Sequence, residues 1–201
     1  MSLPQPAKDL VAKEYSVTIG VPSAVLKTFK EQNHRLLNPE KGDVPPLTGS
    51  LDKPRMKDSS QALELNDSVL NWSKDYGQGG TAGGALSMLN FLAFHKTEDA
   101  KESYREYGKR FASAAGSKRG GNAKVVGTVV ADGAKEWDEV AIAQYPSAAH
   151  FADMLASEDY QEVNHKYRLP ALKDTCILAT TEVRLLEEGL GMKERSGSAK
   201  L

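Results

Sequence analysis

The stretch SMLNFLAFH, residues 87–95, decides the fold. It is too apolar for a strand with one wet face and too short for a helix, so it reads as a central strand buried on both sides. The chain after it is regular. Thr97 stands as a helix N-cap, with Glu98 and Asp99 in the first turn, where the helix dipole favours negative charge. Ala100, Tyr104, Tyr107, Phe111 and Ala114 then recur at spacings of four, three, four and three, the apolar stripe of an amphipathic helix. Gly116 and the pair Gly120-Gly121 end it.

Downstream, residues 124–131 are β-branched and read as a strand, and Asp132-Gly133 supplies a hairpin turn into a second strand over 137–145. Pro146-Ser147 opens another helix with Ala148, Phe151, Ala152 and Leu155 inward. A shorter helix from Ser157 carries Tyr160, Val163 and Tyr167 on one side, and Pro170 stops it. Residues 175–183 form the last strand. The order is β-α-β-β-α-β, so the expected class is α+β, a ferredoxin-like unit with a tight hairpin between its middle strands. Two helices cover one sheet face, yet the strands are apolar on both. The other face needs a partner, and a second copy of the same sheet is the simplest one.

The chain before this unit is less even. Tyr15, Val17 and Ile19 alternate with polar neighbours as a short strand, and Pro22-Ser23 opens a helix with Ser23 as N-cap. Val25, Leu26, Phe29, Asn33, Leu36 and Leu37 share its inner face. Residues 38–60 read as loop, a weaker helical stripe runs through Ala62, Leu65, Val69 and Trp72, and the glycines of 77–84 read as a joint. Three regions result: an extension over 1–84 carrying a degenerate β-α piece and a linker, the α/β domain over 85–186, and a charged tail over 187–201. The β-α piece at 14–37 is just long enough to cover the sheet from within the same chain.

Bulk composition narrows the partners. A formal net charge of −1 argues against nucleic acid, which selects clustered basic surface. Cys176 is the only cysteine, so no intramolecular disulfide can form and a reducing compartment suits the chain. Residues 1–6 lack the basic and apolar regions of a secretory signal, and no stretch approaches the ~20 apolar residues of a membrane span. The expectation is a soluble, cytoplasmic protein without membrane contact.

MLNFLAF (88–94), YREY (104–107), WDEVAIAQYPS (137–147), FADMLASEDYQ (151–161) and HKYRLPALKD (165–174) occur in this order. Together they resemble the dimeric α/β-barrel superfamily, in particular its domain-of-unknown-function branch related to EthD-like and antibiotic-biosynthesis-monooxygenase-like proteins. The resemblance implies two facing sheets in a homodimer and a pocket between sheet and helices. It implies no single chemistry, because that superfamily holds cofactor-free monooxygenases, cyclases, isomerases and haem enzymes. One departure stands out. Gly120-Gly121 follows Ser117-Lys118-Arg119 here, where the family's glycine pair comes directly after the first helix.

Several motifs can be set aside. The glycines of 77–84 follow a helical segment and precede a strand, the reverse of a dinucleotide fingerprint. The four histidines show no metal-ligand spacing and no Cys-x-x-Cys exists, so neither metal nor cofactor is expected. The candidates left are polar residues at positions that ought to be apolar. Asn90, in mid-strand, either braces the sheet or holds a substrate oxygen. Asp138 and Gln144 share a strand face with Val140 and Ile142. Tyr104 and Tyr107 are either core or pocket. His165 and Arg168, sharing a helical face with Gln161, are either solvated surface or a base beside an anion clamp. The expected activity is a cofactor-independent enzyme for a small, mostly apolar molecule: a lyase, isomerase, cyclase or monooxygenase. His165, Asp138 and Asn90 would be its catalytic groups, and Tyr104, Tyr107, Gln144 and Arg168 its binding groups. The rival is a non-catalytic ligand-binding or structural dimer.

Overall fold

Residues 86–94 do form a strand inside a sheet, paired on both sides, though the middle position of the five is held by another strand. The computed structural model describes residues 11–13, 15–59, 61–78, 84–130 and 136–182. The expected turn at 132–133, most of the glycine joint and the tail over 187–201 lie outside them, and the side chain of Ala114 is likewise not described. The elements are β1 (Ile19–Gly20), α1 (Ser23–Leu37), α2 (Asp67–Gln78), β2 (Leu86–Phe94), α3 (Ala100–Arg110), β3 (Asn122–Val129), β4 (Glu139–Tyr145), α4 (Ala148–Leu155), α5 (Glu158–Val163) and β5 (Leu172–Thr180). Among the described residues this is an α+β architecture with five strands and five helices.

The strands lie side by side as β1-β3-β4-β2-β5, each antiparallel to its neighbour. β2 and β3 therefore run parallel, with β4 inserted between them. The chain crosses from one to the other through α3, since a parallel pair needs a crossover. Register sorts the side chains. Met88 lies opposite Ala143 and Ala179, and Asn90 opposite Ala141 and Ile177, so these share one face. Ser87, Leu89 and Phe91 lie on the other face with Gln144, Ile142 and Val140.

Helices α2 to α5 cover the first face. Leu65, Leu86, Met88, Phe111, Tyr145, Phe151, Met154, Leu155 and Tyr160 make one core there, with Val69, Trp72 and Tyr76 packed against it. The residues before 85 thus contribute to this core. They are not merely appended to it. The stripe from Ala62 becomes a helix only at Asp67, where Asn66 Oδ1 accepts from the Val69 N–H at 2.9 Å. Leu65 instead bridges to Met56 and is fully buried.

Four helix starts are sorted by the geometry. Ser147 and Ser157 do cap their helices, each accepting a backbone N–H three residues on. Ser23 is the first residue of α1 and Pro22 holds the cap position; Thr97 makes no side-chain cap, since α3 begins three residues later. After α3 the chain widens into a π turn over Phe111–Ala115, with the Gly116 N–H bonded to the Phe111 carbonyl at 2.9 Å. Gly120 then takes φ +69 and turns the chain into β3; a Cβ there would lie 2.5 Å from Pro146 Cγ.

The second face is covered only in part. α1 lies across one end, held by a polar network around the buried Lys124. Lys124 Nζ donates to Asn33 Oδ1 at 2.9 Å and to Gln144 Oε1 at 3.1 Å, and it pairs with Glu182. Gln144 Nε2 in turn donates to the Leu36 carbonyl at 3.0 Å. Beyond this end Leu89, Phe91 and Ile142 are half-buried, Trp137 lies 5.7 Å from Phe91, and Leu178 is exposed. Among the described residues, no helix is long and apolar enough to cross a membrane.

The phase of α3 is open to test. Phe111 is buried against Tyr107 and Tyr145, whereas Glu106 faces outward and pairs with Lys109 and Arg110. Phe111→Ala is expected to cost ~3–5 kcal/mol in urea unfolding as a large-to-small core change. Glu106→Ala should stay within ~0.5 kcal/mol.

Candidate functional site

Between the first sheet face and α3 lies a cavity of about 410 Å³, within the range of small-molecule sites. Its origin is a mismatch of side-chain size. The sheet contributes Ala123, Ala141 and Ala143, while α3 and the π turn after it contribute Tyr104, Tyr107 and Phe111, whose rings pack on one another rather than filling the floor. The exposed residues Lys101, Arg105 and Val126 mark its mouth. Asn90, Asp138, Glu139 and Arg168 are the other polar groups in its wall, with Thr128.

Of the residues singled out from the sequence, the structure brings Asn90, Asp138, Tyr104, Tyr107 and Arg168 together here. Their roles change. Asn90 Nδ2 donates to the Met88 carbonyl at 2.7 Å and to the Ala141 carbonyl at 3.4 Å, which uses both of its hydrogens. It braces the sheet and turns an acceptor, not a donor, to the cavity. Asp138 is also engaged: Oδ2 accepts the Phe94 N–H at 2.9 Å and Oδ1 the Lys96 ammonium at 2.8 Å. Burial raises its pKa, but these bonds and the charges of Lys96 and Lys101 outweigh burial and leave it below the ordinary carboxylate range. It closes the end of β4 and makes a poor base.

Gln144 and His165 are corrections. Gln144 lies on the opposite face of the sheet, in the network that holds α1, because strand alternation separates it from Ala143 and Tyr145. His165 is outside the cavity too. Its Nε2 meets Glu64 Oε1 at 2.6 Å, and the buried Glu64 also takes Arg55 Nη1 at 2.6 Å. The segment before α2 supplies a carboxylate that nothing local to His165 announces.

Arg168 shares a helical face with His165 in the sequence-based expectation. A second π turn, Asn164–Arg168, separates them, with the Leu169 N–H bonded to the Asn164 carbonyl at 3.0 Å. Arg168 is 1% exposed. Its Nη1 donates to Asn164 Oδ1 at 3.4 Å, and Nη2 has no hydrogen-bond partner. Asn164 is fixed in turn through Nδ2, which donates to the Ala62 carbonyl at 2.7 Å and to Gln161 Oε1 at 2.9 Å. Four phenols stand around the guanidinium. Burial pushes the hydroxyls of Tyr104, Tyr107, Tyr145 and Tyr160 up, and Arg168 opposes the rise in each. All four remain protonated near neutral pH, as donors rather than bases.

Glu139 is the group that sequence reasoning misses. It lies opposite Leu92 and Thr128 on the cavity face, half-buried, and accepts no hydrogen bond from a described residue. Burial raises its pKa above the ordinary value, and only Lys101 pulls it back. A signal is present in Glu139, Ala141 and Ala143, an acid followed by two small residues at period two. Among the described residues, no group of three or more His, Cys, Asp or Glu could hold a metal ion.

The site is therefore a small, aromatic-walled cavity in an α+β sheet protein, with a raised carboxylate and a buried arginine. No protein-family model and no curated protein matches the chain. Two solved structures are similar in part. The crystal structure of RPA0582, a protein of unknown function from Rhodopseudomonas palustris and a structural-genomics target, is 22% identical with a TM-score of 0.47, covering 61% of this chain and 97% of that one. The methylated RPA0582 protein gives 21% and 0.48, covering 63% and 98%.

The raised carboxyl has a sign that can be measured. A glutamate with a higher pKa folded than unfolded binds more protons in the native state, so stability falls as pH rises from the ordinary glutamate value of 4.5 through the raised one. Glu139→Gln removes this loss. In urea unfolding the variant should match the wild type most closely at pH 4 and exceed it at pH 8. The same gap at both pH values would contradict a raised carboxyl.

Proposed function

We propose that this chain is an enzyme of the cofactor-independent, proton-transfer kind, acting on a small, mostly apolar molecule in the cavity between sheet and α3. The observation that carries the proposal is Glu139. A half-buried carboxylate that accepts no hydrogen bond from a described residue, and has a raised pKa, suits a general base near neutral pH. His165 and Asp138 give up that role to it. Glu139 would take a proton from the carbon beside a carbonyl, and the electron pair of the broken C–H bond would move onto the carbonyl oxygen. The protonated phenols of Tyr104 and Tyr107 would hold that developing oxyanion. Lyase, isomerase and cyclase reactions that pass through an enolate begin with this step.

The scaffold reading belongs to the same proposal. Strand β4 splitting the β2-α3-β3 unit, followed by the α4–α5 crossover to β5, supports a ferredoxin-like βαββαβ core. The half-buried Leu89, Phe91 and Ile142 and the exposed Leu178, beyond the reach of α1, support a homodimer formed through the second face. Sedimentation at micromolar concentration should give twice the chain mass, and Leu178→Glu should shift it toward the monomer. Monomer alone in the wild type would remove the dimer and leave the cavity untouched.

A non-catalytic ligand carrier is favoured by one observation, that Asn90 and Asp138 spend their hydrogen bonds on the protein itself. Proton exchange separates the two. With 2-tetralone in D2O, followed by NMR, the enzyme should speed deuterium uptake beside the carbonyl above the buffer rate. Glu139→Gln should reduce that rate ~10²–10⁴-fold, as loss of a general base does, while remaining folded. Binding without accelerated exchange would make the protein a carrier.

A further inference from the structure

Resting on the reading that the cavity holds a small molecule, we propose that its ligand is a carboxylic acid whose carboxylate docks on Arg168. The observation behind this is an imbalance among the buried cations. Arg119, 3% exposed, pairs with Asp153 at 3.0 Å and with Asp159 at 3.1 Å. Lys124, 2% exposed, pairs with Glu182. Arg168 is as deeply buried as either, yet no described carboxylate pairs with it; its neighbours are the Asn164 amide oxygen and the neutral Tyr104 phenol, and Nη2 has no hydrogen-bond partner.

A guanidinium cannot shed its proton to escape burial, so its charge and its empty donor call for an acceptor. The surrounding phenols are neutral and do not supply the charge. Arg168 forms part of the cavity wall, so the missing anion can come from a ligand. Arginine suits a carboxylate in particular, because its planar fork matches two oxygens. The rest of the molecule is set by Phe94, Tyr104, Tyr107 and Phe111, which offer ring faces and edges to an apolar body. Exposed Lys101 and Arg105 at the mouth favour the approach of an anion.

The one acid that opposes such a ligand is Glu139, and Asp138 is already neutralised by Lys96. Glu139 is offset by Lys101. Tyr104 feels the charge of both Glu139 and Arg168, and all three line the cavity. The ligand's carboxylate would thus sit at Arg168, with the carbon that loses a proton nearer Glu139. The substrate class is a small arylalkyl or keto acid.

Binding to the full-length protein tests this by calorimetry with three probes of one shape: 2-naphthoate, 2-naphthamide and 2-naphthalenemethanol. The carboxylate should bind at least ~10-fold tighter than either neutral probe, the least expected of one hydrogen bond to a charged group. Arg168→Met should abolish that preference, and Arg168→Lys should keep part of it. With its unpaired charge removed, ligand-free Arg168→Met should melt no lower than the wild type. Equal binding of amide and carboxylate to the wild type, or a preference that survives Arg168→Met, overturns the inference and leaves the cavity reading standing. No binding by any probe overturns both.

Discussion

Strand β2 is apolar on both faces and lies inside the sheet, with β4 on one side and β5 on the other. Both of its faces must therefore be taken from water, and most of the remaining chain is arranged to do so. Helices α2 to α5 provide one cover and α1 provides part of another. Neither cover is closed by apolar packing alone. Each depends on buried polar groups that find partners far away in sequence, and those partners come largely from the residues before 85.

On the helical side, Gln161 Nε2 donates to the Leu63 carbonyl at 3.2 Å and Asn164 Nδ2 to the Ala62 carbonyl at 2.7 Å. Thr48 and Ser50 give their backbone N–H groups to Asp153 at 3.1 and 3.0 Å, and Arg119 closes the same carboxylate. Burial raises the pKa of Asp153, yet the bonds from Thr48 and Arg119 bring it below its ordinary value. Such groups are strongly directional, and once desolvated they tolerate few alternative arrangements. They explain why residues 38–59, loop-like in composition, run against the domain along a defined path.

The cavity follows from the same arrangement. A sheet carrying alanines beneath a helix carrying tyrosines would normally collapse, since protein interiors close up to near-crystalline density. Here α3 is held away from the alanines by aromatic contacts, Phe94 of β2 edge-on to Tyr104 at 5.1 Å and Tyr104 tilted against Tyr107 at 5.3 Å. At the end of α5, the clamp by Asn164 keeps Arg168 in the wall. The volume and its charge are thus products of packing at two separate helices.

The strands, the helices and their order could be read from the sequence, because period and punctuation are local. Residues 87–95, the stripe from Ala100 to Phe111 and the serines at 147 and 157 carry their own evidence. Tyr104, Tyr107, Asn90, Asp138 and Arg168 are visible as misfits for the same reason. What those misfits do is settled only by tertiary structure. Two hydrogens of Asn90 go to carbonyls on its own and a neighbouring strand, Glu64 arrives from a distant loop to take His165, and a π turn sends Arg168 inward while His165 stays out. Glu139 becomes a candidate only when register places it opposite Leu92 and Thr128, on the cavity face. Periodicity places a side chain on one face of its own element, but its partners, its burial and hence its charge depend on which other elements arrive there.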